Sequence, residues 1–406
     1  MSKTIQVLLA LIIGLTIGVV TSISEASFLK SFAEIGTPIG KLWVNSIRMT
    51  VIPLVVSLLV SGIASPSSRN VGRVGLKAFI WFVILVTGSS LFTAVAAPSL
   101  LNLGSIDVDM TNLLPDSEVT TQVDLPLFRD WIVELIPSNP IAAASEGAML
   151  PLIIFTVFFA MAITKIENNH RMNLVGFFDA ISKAMLVIVG WILYVAPVGV
   201  FFLVLPLAAN SGIDLVFAMG WFLIVACGLI TLSILALYPL TSFFGKVSIT
   251  EFARACAPAQ AIGFSTRSSL ASLPAMVEAS DNYLKLPASV SGIVLPIAVA
   301  LLKFASPIAR GTGTFFIASI YGIDLGFIEI MTIMAAIGAL SFYSPGVPSG
   351  GLFIMTPVYI SLGLPVEGIG LLIALDLIPD MFITTANVTA DMSVATILGN
   401  SDIGKN

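Results

Sequence analysis

Apolar runs of membrane-spanning length recur along this chain, and they restrict its fold more than any single motif does. They cover residues 5–22, 43–64, 78–103, a broken stretch over 131–166, then 174–207 and 213–244. About 20 such residues make a helix long enough to cross the hydrocarbon core of a bilayer. Only 10% of the 406 residues are charged and 57% are hydrophobic, with a mean hydropathy of +1.04, whereas a soluble domain carries about a quarter charged residues. A water-soluble globular fold is therefore excluded, and the lipid bilayer is the expected surrounding. Nucleic acid is a poor partner, since 18 Lys+Arg face 23 Asp+Glu with no basic block. The single histidine, His170, and the cysteines Cys227 and Cys256, without metal-ligand spacing, leave no basis for a His-rich metal site or a Ser/His/Asp triad.

Loop charges orient the spans. Lys3, the Arg69/Arg73/Lys77 loop, the Lys165/Arg171 loop, Lys246 and Lys405 are the basic connections and are expected on the cytoplasmic side, in the inner membrane of the cell. The loop over 107–130 holds Asp107, Asp109, Asp116, Glu118, Asp124 and Asp130 against Arg129 and belongs outside. The first apolar run lacks a small-residue cleavage site and reads as a retained helix. The pattern predicts an all-α polytopic membrane protein of eight transmembrane helices, both termini cytoplasmic. Two apolar segments remain, near 250–285 and 330–362, each broken at its middle by small residues. Each reads as a re-entrant helical hairpin, tolerated at membrane depth only where protein or a water-filled cavity covers it. Their meeting point is the expected substrate site.

Several polar residues sit where lipid would reject them. Asp376, Asp380, Thr384, Asn387 and Asp391 recur at intervals of three or four and share one helical face. Their apolar neighbours place that face toward a bundle interior. The run over 295–321 contains Lys303 and Arg310 around Pro307, Gly311 and Gly313. Proline removes a backbone donor and glycine relaxes the dihedral restriction, so the helix is expected to unwind there. Both bases are expected to pair with carboxylates of the last span. The first hairpin tip, Ser265-Thr266-Arg267-Ser268-Ser269, offers half-helix N–H groups and a cation to a carboxylate, or else its serines cap the second arm. A channel would call for rings of like charge or a repeated filter. An aspartic hydrolase would take its two carboxylates from two elements. Neither pattern appears, and no enzyme is expected.

With these motifs the chain resembles the glutamate transporter family, the dicarboxylate/amino acid:cation symporters, over nearly its whole length. The resemblance rests on Thr266-Arg267-Ser268-Ser269 with Leu273-Pro274, Thr314-Phe315-Phe316-Ile317-Ala318, and Gly346-Val347-Pro348 with Gly363-Leu364-Pro365. It also rests on Asp376-x3-Asp380-Met381, Asn387-Val388-Thr389-x-Asp391 and Gly72-Arg73-Val74-Gly75-x-Lys77. It implies a homotrimer working as an elevator. Residues 1–72 and 127–207 would form the fixed scaffold, and 73–103 with 213–406 the moving transport domain. Asp380 would bind a substrate ammonium, Asn387 and the backbone at Ser268 and Ser269 would hold the α-carboxylate, and Arg267 and Thr384 would belong to the same substrate site. Val347 and Gly351 would close the outer gate.

Departures from the family pattern carry the specificity expectations. The span-seven sodium motif aligns with Leu302-Lys303-Phe304-Ala305-Ser306, so two sodium ligands become Leu302 and Phe304, and a Thr-Ser pair becomes Leu85-Val86. Sodium needs hard oxygen ligands that Leu and Phe lack. Lys303 is placed to act as a surrogate ion near Asp391. Proton coupling through Lys303, Asp376, Asp380 or Asp391, residual sodium coupling near Ser306 and the second hairpin, and cation-independent exchange all remain open. The arginine that grips an acidic side chain in the family is here Ile383, while Arg310 stands on the neighbouring helix. Arg310 is then either a relocated clamp for aspartate or glutamate, or a structural partner of Asp376 or Asp380. The first alternative favours acidic substrates; Ile383 taken alone favours neutral ones.

Overall fold

The computed structural model describes residues 3–24, 27–64, 73–104, 136–145 and 149–342, then Leu352, Met355, Tyr359 and 364–400. Among these residues every regular element is helical. The order is α1 (Lys3–Ile23), α2 (Ser27–Ala64), α3 (Arg73–Leu103), α4 (Pro140–Ser145), α5 (Met149–Ile163), α6 (Asn168–Tyr194) and α7 (Ala196–Gly245). There follow α8 (Ile249–Thr266), α9 (Ser269–Asn282), α10 (Ala288–Leu301), α11 (Ser306–Ile320), α12 (Phe327–Ser341), α13 (Val366–Leu375) and α14 (Leu377–Gly399). Among the described residues, five helices are long and apolar enough to cross a membrane, including α3, α6, α7 and α14. Large apolar side chains such as Ile12, Val83, Phe177 and Trp191 point outward. In water such a surface would be an association hazard; in lipid it is the solvent-facing surface.

Two span boundaries differ from those drawn on hydropathy. The apolar run over 174–207 is broken at Val195 (φ −92°, ψ 1°), and α7 begins at Ala196 with Pro197 in its first turn. Proline disfavours helical geometry in the residue before it and suits a helix start. Hydropathy cannot register a turn made of apolar residues. The polar-looking gap near residue 212 is instead a kink within α7, where Gly212 adopts φ 64°, ψ −144° and the helix resumes. That conformation costs glycine little and any other residue a good deal. The second helix is also longer than its apolar run, extending from Ser27 through Pro38 and Pro53 to Ala64.

The first part of α7 is gripped by α1 and α2 through small residues. A Cβ on Gly18 would lie 2.5 Å from Ala208 Cβ, and one on Gly40 would lie 2.9 Å from the Phe202 carbonyl. Such close approach gives dispersion contacts where no hydrophobic driving force acts between helices in lipid. At Gly199 a Cβ would fall 2.2 Å from Cγ of Trp43, whose indole N–H is anchored on the Ile192 carbonyl at 3.2 Å. Overpacking a buried contact costs about 1–3 kcal/mol or more. Gly199→Val is therefore expected to lower the melting temperature of the detergent-solubilised protein by several degrees. Gly220→Ala, with open space at its Cβ position, serves as the control; equal melting of the two variants would refute this packing.

The remainder of α7 packs against α3, α8, α11 and α14. Trp221 Nε1 donates to the Leu100 carbonyl at 3.1 Å, and the hydroxyls of Thr241 and Ser393 meet at 2.6 Å. The centre of this second group is α14, which is almost wholly enclosed, whereas α6 is mostly exposed. A helix surrounded on all sides can carry polar residues that lipid would not admit.

Candidate functional site

The site is assembled around the polar stripe of α14. On one side stands a helical hairpin, α8 and α9, matching the segment expected near 250–285. Ser248 caps α8 by accepting from the Glu251 amide at 3.2 Å, and Ser268 caps α9 by accepting from the Ala271 amide at 3.2 Å. Between the arms Arg267 ends α8 in the left-handed conformation (φ 55°, ψ 34°). That region is unfavourable for residues with a Cβ by about 1–2 kcal/mol. The turn is held by the Arg267 amide donating to the Gly263 carbonyl at 2.8 Å. Gly263 is where hairpin and stripe approach most closely: a Cβ there would sit 3.3 Å from methyls of both Thr384 and Val388.

Facing the hairpin, the run over 295–321 unwinds between α10 and α11. Leu302 is extended (φ −82°, ψ 106°), and the helix resumes at Ser306-Pro307. The break thus precedes Pro307 by one turn. Asn387 of the stripe holds it open, its Oδ1 accepting from the Ala305 amide at 3.0 Å. Its amide NH2 is left to donate elsewhere. Ser306, Leu302 and Phe304 are all buried at this break.

Four charges meet on this framework. Arg310 Nη1 lies 2.6 Å from Asp376 Oδ1, with side chains only 7% and 3% exposed. Arg267 reaches from the hairpin tip to 4.0 Å from Asp380 Oδ2, at 20% and 12% exposure. Asp376 lies at the junction of α13 and α14 and makes no side-chain bond to the helix it precedes. The Thr314 hydroxyl donates to the Arg310 carbonyl at 2.8 Å and sits 3.0 Å from the Tyr359 hydroxyl, which fixes the turn carrying Arg310. A lone buried charge costs several kcal/mol, so opposite pairing of this kind is the condition for keeping four of them there.

A second pair lies deeper along the stripe. Asp391 is fully buried, and neither of its oxygens finds a hydrogen-bond donor among the described residues. The cation acting on it is Lys303. The expected contact between them does not form: the Lys303 ammonium donates to the Val299 carbonyl one turn earlier. A lysine stem at the end of α10 reaches its own helix more easily than it crosses to α14. Of the two bases expected to pair directly with the last span, only Arg310 does so.

The other candidates fall into place as follows. Ser268 is a helix cap, and Ser269 opens α9 beside it. The Thr384 hydroxyl is turned back onto the Asp380 carbonyl at 2.9 Å, so it is its methyl that meets the hairpin. Ile383 is buried among apolar side chains. Val347 and Gly351 lie outside the described residues. Two features were not anticipated. Gln260, on the inner face of α8, donates to the Tyr238 hydroxyl at 2.9 Å and to Thr389 Oγ1 at 2.8 Å, tying the hairpin to both α7 and α14. An uncharged amide within an otherwise apolar arm was the signal for it. The direct facing of Arg267 and Asp380, 113 positions apart in sequence, had no signal in local spacing; only the family resemblance had placed them in one site.

The family model described as the sodium:dicarboxylate symporter family matches residues 4–401. The proton/glutamate-aspartate symporter of Escherichia coli (strain K12) is 25% identical over 402 residues, covering 97% of this chain and 91% of that protein. The proton/sodium-glutamate symport protein of Geobacillus stearothermophilus is 26% identical over 402 residues, with 97% and 93% covered. The neutral amino acid transporter B(0) of Bos taurus is 27% identical over 395 residues, with 88% and 72% covered.

Proposed function

The chain belongs to the sodium:dicarboxylate symporter family, and from that premise we propose that it carries an acidic amino acid, aspartate or glutamate, across the cell membrane together with a proton. The observation that carries this reading is the buried pairing of Arg310 with Asp376 one helical turn from Asp380. A guanidinium at that depth binds a carboxylate by its geometry, whichever helix supplies it. The substrate ammonium replaces Arg267 as the partner of Asp380, and the released Arg267, with the Asn387 NH2 and the hairpin backbone at Ser268–Ser269, holds the α-carboxylate. Arg310 receives the side-chain carboxylate. Thr384 shapes the floor, and Val347 and Gly351 belong to the gate.

Coupling follows from the charges. Leu302 and Phe304 replace two oxygen ligands at the helix break, and Lys303 supplies a resident positive charge to Asp391. The site then has no need of a cation there. Lys303→Gln is expected to reduce aspartate uptake to below about a tenth, because it strips a buried carboxylate of its counter-charge. High external sodium should restore part of that loss. Full uptake by the variant in sodium-free buffer would remove Lys303 from the mechanism.

Movement follows the packing. Residues 73–103 and 213–406 form the transport domain that slides as an elevator, 1–72 and 127–207 form the scaffold of a homotrimer, and Gly212 marks the passage between them in α7. Both termini lie on the cytoplasmic side. The deciding assay is uptake of labelled aspartate into proteoliposomes under an inward proton gradient or an inward sodium gradient. Accumulation driven by protons alone supports this reading, and accumulation that requires sodium refutes the coupling. A second reading, a carrier of neutral amino acids, is favoured by buried Ile383 on the substrate face. It predicts alanine or serine uptake and none of aspartate.

A further inference from the structure

Asp376 is a buried carboxylate to which substrate binding by itself gives no task. Only its Oδ1 touches Arg310; its Oδ2 is buried and has no hydrogen-bond partner among the described residues, and the same holds for Nε of Arg310. A guanidinium presents two edges to carboxylates, and the contact at Nη1 leaves the edge that includes Nε without a partner. Buried orphan donors are costly and uncommon in native proteins. The free edge therefore marks where a second carboxylate belongs, and Asp376 is the group that holds the guanidinium in place to present it.

Resting on the acidic-substrate reading, we propose that Asp376 is both the positioning residue of Arg310 and the acceptor of the coupled proton. When the substrate side-chain carboxylate seats on the Nε edge, two carboxylates share one guanidinium. One negative charge is then left uncompensated in a site closed to water. A proton drawn from solvent water forms an O–H bond at Asp376 Oδ2, and the pair of carboxylates again carries the single charge that Arg310 balances. Among the described residues Oδ2 of Asp380 and both oxygens of Asp391 also lack hydrogen bonds, but only Asp376 touches Arg310. Asp380 on the same helix faces Arg267 from the hairpin and takes the substrate ammonium. Lys303 acts on Asp391, about four helical turns from Asp376. Tyr359 is hydrogen-bonded to Thr314. A neutral amino acid brings no second carboxylate and so needs no proton.

Two measurements test this. In weakly buffered detergent solution with a pH-indicator dye, aspartate should draw about one proton per protomer from solution, and asparagine none. In proteoliposomes held at zero membrane potential, one pH unit should support roughly tenfold aspartate accumulation. Asp376→Asn should accumulate none under the same gradient, and the uptake it retains should respond instead to an inside-positive potential, since its substrate now crosses with a net negative charge. If the unsubstituted protein accumulates no aspartate under a proton gradient, the acidic, proton-coupled reading itself fails. If it does so and Asp376→Asn accumulates as much, the proton resides elsewhere and the inference is overturned. Proton uptake with asparagine also overturns it. Should the variant not fold, the dye measurement on the unsubstituted protein can still overturn the inference, by showing no proton uptake with aspartate.

Discussion

Replacing Arg310 by methionine is expected to abolish aspartate uptake, lowering it at least about 100-fold, and to destabilise the protein as well. Both effects have one cause. The guanidinium is 2.6 Å from Asp376 with both side chains almost fully enclosed. Removing one partner of such a pair leaves an uncompensated buried charge at a cost of about 3–5 kcal/mol. Thermal unfolding in detergent reports that part. The double variant Arg310→Met with Asp376→Leu removes both charges and should recover most of the stability while still failing to transport aspartate. Asparagine or serine uptake by the double variant would identify Arg310 as the residue that sets the preference for an acidic side chain. Aspartate uptake by the double variant at the unsubstituted rate would show instead that the pair is structural and that the side-chain carboxylate binds elsewhere.

Asp380→Asn should behave differently, although it too removes a buried carboxylate. Arg267 lies 4.0 Å away and is 20% exposed, so water already reaches it, and the fold should lose little. What is lost is the counter-charge for the substrate ammonium. A hydrogen bond to a charged group in a closed site contributes about 3 kcal/mol, so the KM for aspartate should rise roughly 100-fold. The melting temperature should stay within about two degrees of the unsubstituted protein's. A large drop in melting temperature with an unchanged KM would reverse the roles assigned to Asp376 and Asp380.

How much of this was legible in sequence depended on whether the signal was local. The stripe from Asp376 to Asp391 could be placed on one buried face because helical periodicity is a property of the chain alone. The hairpin tip at Thr266-Arg267-Ser268 and the unwinding near Pro307 were readable for the same reason: a cap, a proline or a small-residue cluster acts within a few residues of itself. The break at Val195 escaped because it lies within a run of apolar residues, where a turn and a span have the same hydropathy.

Partnership was another matter. Periodicity says that Asp376 and Asp380 face inward, and burial says that each needs a partner. Neither says that Asp376 takes Arg310 while Asp380 takes Arg267. That division depends on where α11 and the hairpin tip come to rest against α14, which dozens of packing contacts decide together. The same holds for Lys303, whose ammonium turns to the Val299 carbonyl because its own helix is nearer than Asp391. The sequence by itself determined that the chain lives in a membrane and that its last helices carry charge into the interior. Only the tertiary structure decided which charges neutralise one another and which buried polar atoms are left without a partner among the described residues, because those are distances between elements that the chain order does not contain.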